Sequence, residues 1–150
     1  MSILTKIEMH FDKKSILAAA GGIALASGLV IVIILLSAPV TSSLSTELQK
    51  KIPFLIFGVT MLVAAPVLSM RLNRLTETRK ILGWIFIGMG AEFLIFPAGV
   101  LFLVLTSPSE EAFFISAALF TVSIIFGISS GLISFFIGIM LIKRRDHGRR

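Results

Sequence analysis

The sequence predicts an all-α integral membrane protein, a four-helix transmembrane bundle with both termini cytoplasmic. Three observations carry this. Four apolar runs, at about 15–38, 53–70, 81–106 and 112–142, each reach the roughly 17–25 residues that a helix needs to cross a bilayer. The charged residues, 15% of the chain, fall between those runs with a single exception, Glu92. Hydrophobic residues make up 56% of the 150 and the mean hydropathy is +1.01, far above a soluble globular chain.

Residues 1–14 form a cytoplasmic or interfacial N-terminal segment. Ile3, Ile7 and Phe11 recur every four residues beside Lys6, Lys13 and Lys14. As a helix they give an apolar stripe flanked by lysine, suited to lying in the membrane interface; as a loose tail, the lysines only orient the first span. The first run, 15–38, is longer than the apolar core of a signal peptide and reads as an uncleaved span. It carries two staggered ladders, Ala18/Gly22/Ala26 and Ala20/Ala24/Gly28, which let helix backbones approach closely in lipid.

Residues 39–52 are polar and read as the first loop, with Pro53 in the first turn of the second helix. Pro66 interrupts that helix and frees the carbonyl of Leu62. Residues 71–80 make a basic loop with Arg71, Arg74, Arg79 and Lys80, and Trp84 opens the third span where an interfacial indole is favoured. Residues 107–111 form a short acidic turn in which Ser107 or Ser109 caps the fourth helix, with Glu110 and Glu111 beside its positive end. The transmembrane domain ends at 142, and 143–150 is a basic cytoplasmic tail.

Charge asymmetry sets the orientation. Twelve Lys and Arg lie in the tails and the 71–80 loop, and two, Lys50 and Lys51, on the other side. Positive segments stay in the cytoplasm, so both ends are cytoplasmic, in a membrane expected to be the cell membrane. The net charge of +6 is thereby a topology signal and a contact to anionic lipid headgroups, and no nucleic-acid partner is expected.

On the fourth helix Ser116, Ser123, Gly127, Gly131, Ser134 and Gly138 recur at steps of seven, four, four, three and four, one continuous small face. It predicts a tightly packed neighbouring helix, in this chain or in a second copy. The other reading is a break at Gly127–Gly131, a discontinuous helix of the kind that binds ions.

Glu92 is the single ionisable residue inside the four runs, and an intramembrane carboxyl by default faces protein and is a functional candidate. At ~1.5 Å rise per residue it lies ~16 Å into its span, level with Ser27, Thr121 and Ser123. Those three hydroxyls are its expected hydrogen-bond shell, and Gly88 and Gly99 leave room on its own stripe. Glu92 is then either a protonated carboxylic acid gluing helices together or a site for H⁺, Na⁺ or a cationic substrate.

Ala91-Glu92 with Leu94, Ile95 and Gly99-Val100 locally resembles the carboxylate helix of rotary ATPase proteolipids over about ten residues, but the glycine-rich partner helix of that family is missing from 53–70. Four short spans and one glutamate are also similar to small multidrug resistance transporters, whose glutamate belongs in the first helix, where this chain has no acid. Neither likeness assigns a family.

Cysteine is absent, which removes thiolate metal sites and cysteine nucleophiles. His10 and His147 lie outside the runs, so no histidine pair can hold a haem. With no nucleophile–base pair, metal-ligand cluster or phosphate loop, the expectation is no enzyme and no cofactor. Two functions remain. The favoured one is a non-catalytic structural or accessory subunit that packs with partner helices or another copy; the alternative is a small oligomeric transporter or channel working through Glu92.

Overall fold

The computed structural model describes residues 12–41, 43–106 and 109–143. The N-terminal stripe of Ile3, Ile7 and Phe11, the alternative cap Ser107 and the tail beyond Lys143 lie outside them. All regular structure among the described residues is helical: α1 (Lys13–Thr41), α2 (Thr46–Asn73), α3 (Thr78–Leu105), α4 (Glu110–Ser123) and α5 (Ser129–Lys143). A π turn, Ile124–Ile128, joins α4 to α5 without a break. Counting α4–α5 as one, four helices are long and apolar enough to cross a membrane.

The helices outrun their apolar segments. The expected 39–52 loop is mostly helix, and Pro53 lies two turns inside α2 rather than in its first turn. Local chemistry accounts for this. Thr46 to Lys51 includes good helix formers, Glu47 stands at the positive helix end, and Lys51 approaches it at 4.0 Å one turn later. Arg71 likewise belongs to the last turn of α2 rather than to a loop. At α4, Ser109 is the cap: its Oγ accepts from the Ala112 N–H at 3.3 Å.

Spatial order differs from chain order. α1 packs on both α2 and α3, and α3 packs on α1 and on α4–α5, whereas α2 and α3 barely touch. The helices form a row, α2–α1–α3–α4/α5. Although only 74–77 separates them, α2 and α3 are therefore not packed neighbours. Small residues decide the pairing. The Ala18/Gly22/Ala26 ladder is buried, and a methyl on Gly22 would lie 2.6 Å from the Ser69 backbone N and 2.9 Å from the Ala65 carbonyl of α2. On α3, Gly83, Gly90 and Pro97 recur every seven residues and meet Gly138, Gly131 and Gly127. A methyl on Gly90 would stand 2.8 Å from the Gly131 carbonyl, and one on Gly138 would stand 2.6 Å from that of Gly83. The three glycines of the small face on the fourth helix are thus packed against α3 of the same chain.

At the end nearest the α2–α3 turn, Ala18 and Leu25 from α1, Leu72 from α2, and Ile81 and Ile85 from α3 close a three-helix core. Ile81 is wholly inaccessible. Toward the other end α2 lies bare: Phe54 and Leu62 are each 79% exposed, and Gly58 has no neighbour within 4 Å.

The π turn has a geometric purpose that the stripe spacing explains. From Gly131 to Ser123 is eight residues, which at about 100° each overshoots two turns by about 80°. One extra residue in the turn takes up that overshoot and keeps Ser123 and Ser116 on the face of Gly131. Both serines are buried, whereas Thr121 is exposed.

Glu77 precedes α3 with an extended backbone. Its carboxylate accepts from Lys80 Nζ at 2.9 Å and Arg79 Nε at 3.0 Å, and these bonds hold its pKa below the usual glutamate range. A depressed carboxyl contributes stability that is full above its unfolded pKa and lost as pH falls through the folded one. Because the group is exposed, the effect is small. The stability gap between wild type and Glu77→Gln, followed by thermal unfolding in detergent, should close as the medium is acidified below the ordinary glutamate range. A gap that persists at acid pH would mean the ion pairs do not hold this turn.

Candidate functional site

Because α1 and α4–α5 flank α3 without approaching each other, among the described residues, a groove remains between them with α3 as its floor. It encloses about 620 Å³. Its walls run from Ala24 to Leu35 on α1 and from Ser116 to Ser130 on α4, the π turn and α5, over a floor from Met89 to Leu103. A volume of this size is that of a site for one small organic molecule. The lining is almost wholly apolar. Glu92 is its single ionisable side chain, and Ser116, Ser123 and Ser130 are its hydroxyls.

Glu92 occupies the end of the groove nearest the middle of the helices. It is half-buried, and its carboxyl rests against Gly28 of α1, in the space where any other residue would carry a β-carbon. Gly28 and Glu92 lie ~21–23 Å from the starts of α1 and α3, so rise alone makes them level. Among the described residues no donor hydrogen-bonds the Glu92 carboxyl and no cation pairs with it. The carboxyl lines the groove without a hydrogen-bond or ionic partner among the described residues.

The expected hydroxyl shell is not assembled. Ser27 Oγ donates to its own-helix carbonyl of Ile23 at 2.9 Å and is not part of the groove wall. Thr121 Oγ1 donates to the Ala117 carbonyl at 3.1 Å. Ser123 does line the groove, yet its hydroxyl donates to the Phe120 carbonyl at 2.8 Å. In an apolar setting a serine or threonine finds its nearest acceptor one turn back on its own helix. The room at Gly88 and Gly99 is taken by a close neighbour: methyls there would meet Leu25 and Leu35 of α1.

Of the small face on the fourth helix, Ser116, Ser123, Gly127, Gly131 and Gly138 are buried and Ser134 is half-buried. Gly127 and Gly131 serve packing, not a helix break. Pro97 cannot donate to the Phe93 carbonyl, and the Gly127 backbone closes on that freed oxygen; a methyl at Gly127 would stand 2.9 Å from it. The arrangement suits a Cα–H···O contact.

Three features of the site escaped sequence reasoning: Gly28 as the seat of the carboxyl, Ser116 and Ser130 as groove hydroxyls, and the groove itself. Depth was available from helix rise, but the choice between Ser27 and Gly28 is a choice of azimuth. Only the packing of α1 against α3 supplies that. Among the described residues no group of three or more His, Cys, Asp or Glu could hold a metal ion. The chain matches no family model, no curated protein and no solved structure, so the groove and its carboxyl are its own evidence for function.

Proposed function

We propose that this is a small multi-pass membrane protein of transporter or channel type, in which the groove takes up a cation or proton at the Glu92 carboxyl midway across the bilayer. The observation that carries it is the partnerless carboxyl aimed into an apolar groove of about 620 Å³. A carboxyl kept as glue is expected to bond to a neighbouring helix, and this one does not. The case for an accessory subunit rests on small helix faces awaiting a partner, and part of those faces is filled within the chain: Gly22 lies against α2, and Gly127, Gly131 and Gly138 lie against α3. Infrared difference spectroscopy of the carboxyl stretch tests the reading, with Glu92→Gln to identify the band. A band that shifts on adding Na⁺, an organic cation or hydroxide supports a working carboxyl. One that ignores all three overturns it.

Both termini lie in the cytoplasm of a cell membrane, a reading supported by the twelve basic residues on that side. Exposed Arg71 and Arg74 at the α2–α3 turn meet anionic headgroups there. The absence of cysteine makes single-cysteine labelling clean. An impermeant maleimide should label Ser45→Cys in intact cells and Thr76→Cys only after permeabilisation. The reverse pattern would invert the topology.

A further inference from the structure

Resting on that reading, we infer that the groove selects a compact organic cation, a quaternary or bulky tertiary ammonium carrying an apolar or aromatic body, held between the Glu92 carboxylate and the phenylalanines that line the same groove. Three kinds of observation narrow the class.

The first is oxygen supply. A bare alkali cation must replace its water shell with several oxygens, as selective sites do with rings of carbonyls or carboxylates. Here the lining supplies one carboxyl and three serine hydroxyls, Ser116, Ser123 and Ser130, spread along the groove in an otherwise apolar wall, not a ring of oxygens about one point. An ammonium whose charge is wrapped in carbon sheds little hydration and needs no such cage.

The second is the aromatic content. Phe93, Phe96 and Phe126 all line the groove, and Phe96 stands one helical turn beyond Glu92, on the same face. A carboxylate beside ring faces is the combination that recognises quaternary ammonium, through charge and the ring quadrupole together.

The third is size and access. The volume exceeds what an inorganic ion requires and matches a small organic molecule. Because α1 and α4 do not approach each other, the long side of the groove is open in the plane of the helices. A lipophilic cation already partitioned into the bilayer can enter sideways. The charge then resides at the Glu92 end, and the apolar body extends along Phe96 and Val100 toward the α3–α4 end.

The test uses the full chain in lipid nanodiscs and equilibrium dialysis of benzyltrimethylammonium. Neopentylbenzene, which replaces the nitrogen by carbon at nearly unchanged shape, is the neutral comparison, and empty nanodiscs give the lipid background. At fixed, mildly alkaline pH, wild type should bind the cation with saturation and prefer it to the isostere, and Na⁺ at equal concentration should not compete. Glu92→Gln should weaken the cation by about 10-fold or more and leave the isostere unchanged. Phe96→Leu, which keeps the apolar volume, should weaken it about 3–10-fold. In Gly28→Ala the three atoms nearest the new methyl all belong to the end of the flexible Glu92 side chain, which can swing away. The variant should displace the carboxyl and weaken the cation while the isostere binds as before.

Equal binding of cation and isostere, unmoved by Glu92→Gln or Gly28→Ala, would overturn the inference. So would competition by Na⁺ at equal concentration. If benzyltrimethylammonium fails to bind but Na⁺ or hydroxide still shifts the Glu92 infrared band, the ligand class is wrong and the working carboxyl stands. If the band also stays fixed, both fall.

Discussion

Replacing Gly138 by leucine is expected to cost the fold more stability than any other single change along the contact of α3 with α5. The Gly138 backbone lies against the Gly83 carbonyl and the Ile87 amide of α3, so that even a β-carbon would stand 2.6 Å and 2.9 Å from those atoms. Both are backbone, and neither can swing away as a side chain would. Moving α5 off α3 would open the Gly90–Gly131 contact as well, because one rigid helix carries both. Overpacking of this kind costs about 1–3 kcal/mol for small insertions, and leucine should reach the top of that range or exceed it. Thermal unfolding or SDS titration in detergent measures it. Gly58→Leu on α2 is the control: no atom of another helix lies within 4 Å of a β-carbon there, so it should be as stable as wild type or more so by up to about 1 kcal/mol. Equal stability of the two variants would refute the close α3–α5 contact.

Glu92→Met is expected to stabilise the fold while abolishing its cation response. Methionine is unbranched like glutamate, so it can take the same path past Gly28 and fill the same space. What it removes is a carboxyl that makes no hydrogen bond or ion pair with any described residue. Glu92 is half-buried and its oxygens are not sealed off, so withdrawing this polar group from an apolar lining should return up to about 1 kcal/mol. The glue reading makes the opposite forecast, because deleting one partner of a helix-to-helix bond destabilises. The direction of the shift in unfolding midpoint therefore separates the two readings without any ligand. A stabilising change would mark Glu92 as a group retained against the interest of the fold, as functional groups are. A destabilising one would return it to packing.

How much of this is legible in the chain differs from element to element. The four helices are, because runs of eighteen or more residues with at most one charge admit few other structures. The cap at Ser109 is also legible, since a hydroxyl before two glutamates and an apolar run is a local signal. The small face of the fourth helix reads as a packing surface, and its Gly127, Gly131 and Gly138 lie against α3. Its partner is not legible: the matching period of Gly83, Gly90 and Pro97 on α3 becomes meaningful only once α3 is known to lie opposite. For Ser27, Ser123 and Thr121, helix rise gives a depth near that of Glu92 and suggests a role they do not play, because each hydroxyl has a nearer acceptor on its own helix.

Sequence alone determined what depends on one helix at a time: the four long apolar helices, the place of Glu92 along its helix, the rotation of each apolar or small face, and the charge asymmetry that argues for orientation. Hydropathy, rise and periodicity are properties of a single segment, so no neighbour is needed to read them. Tertiary structure alone decided the row α2–α1–α3–α4/α5, the groove that this row leaves beside α3, and the meeting of Gly28 with Glu92. Those depend on which backbone can come closest to which. That is set by the pairwise fit of small residues on two helices at once, which no periodicity within one of them can specify.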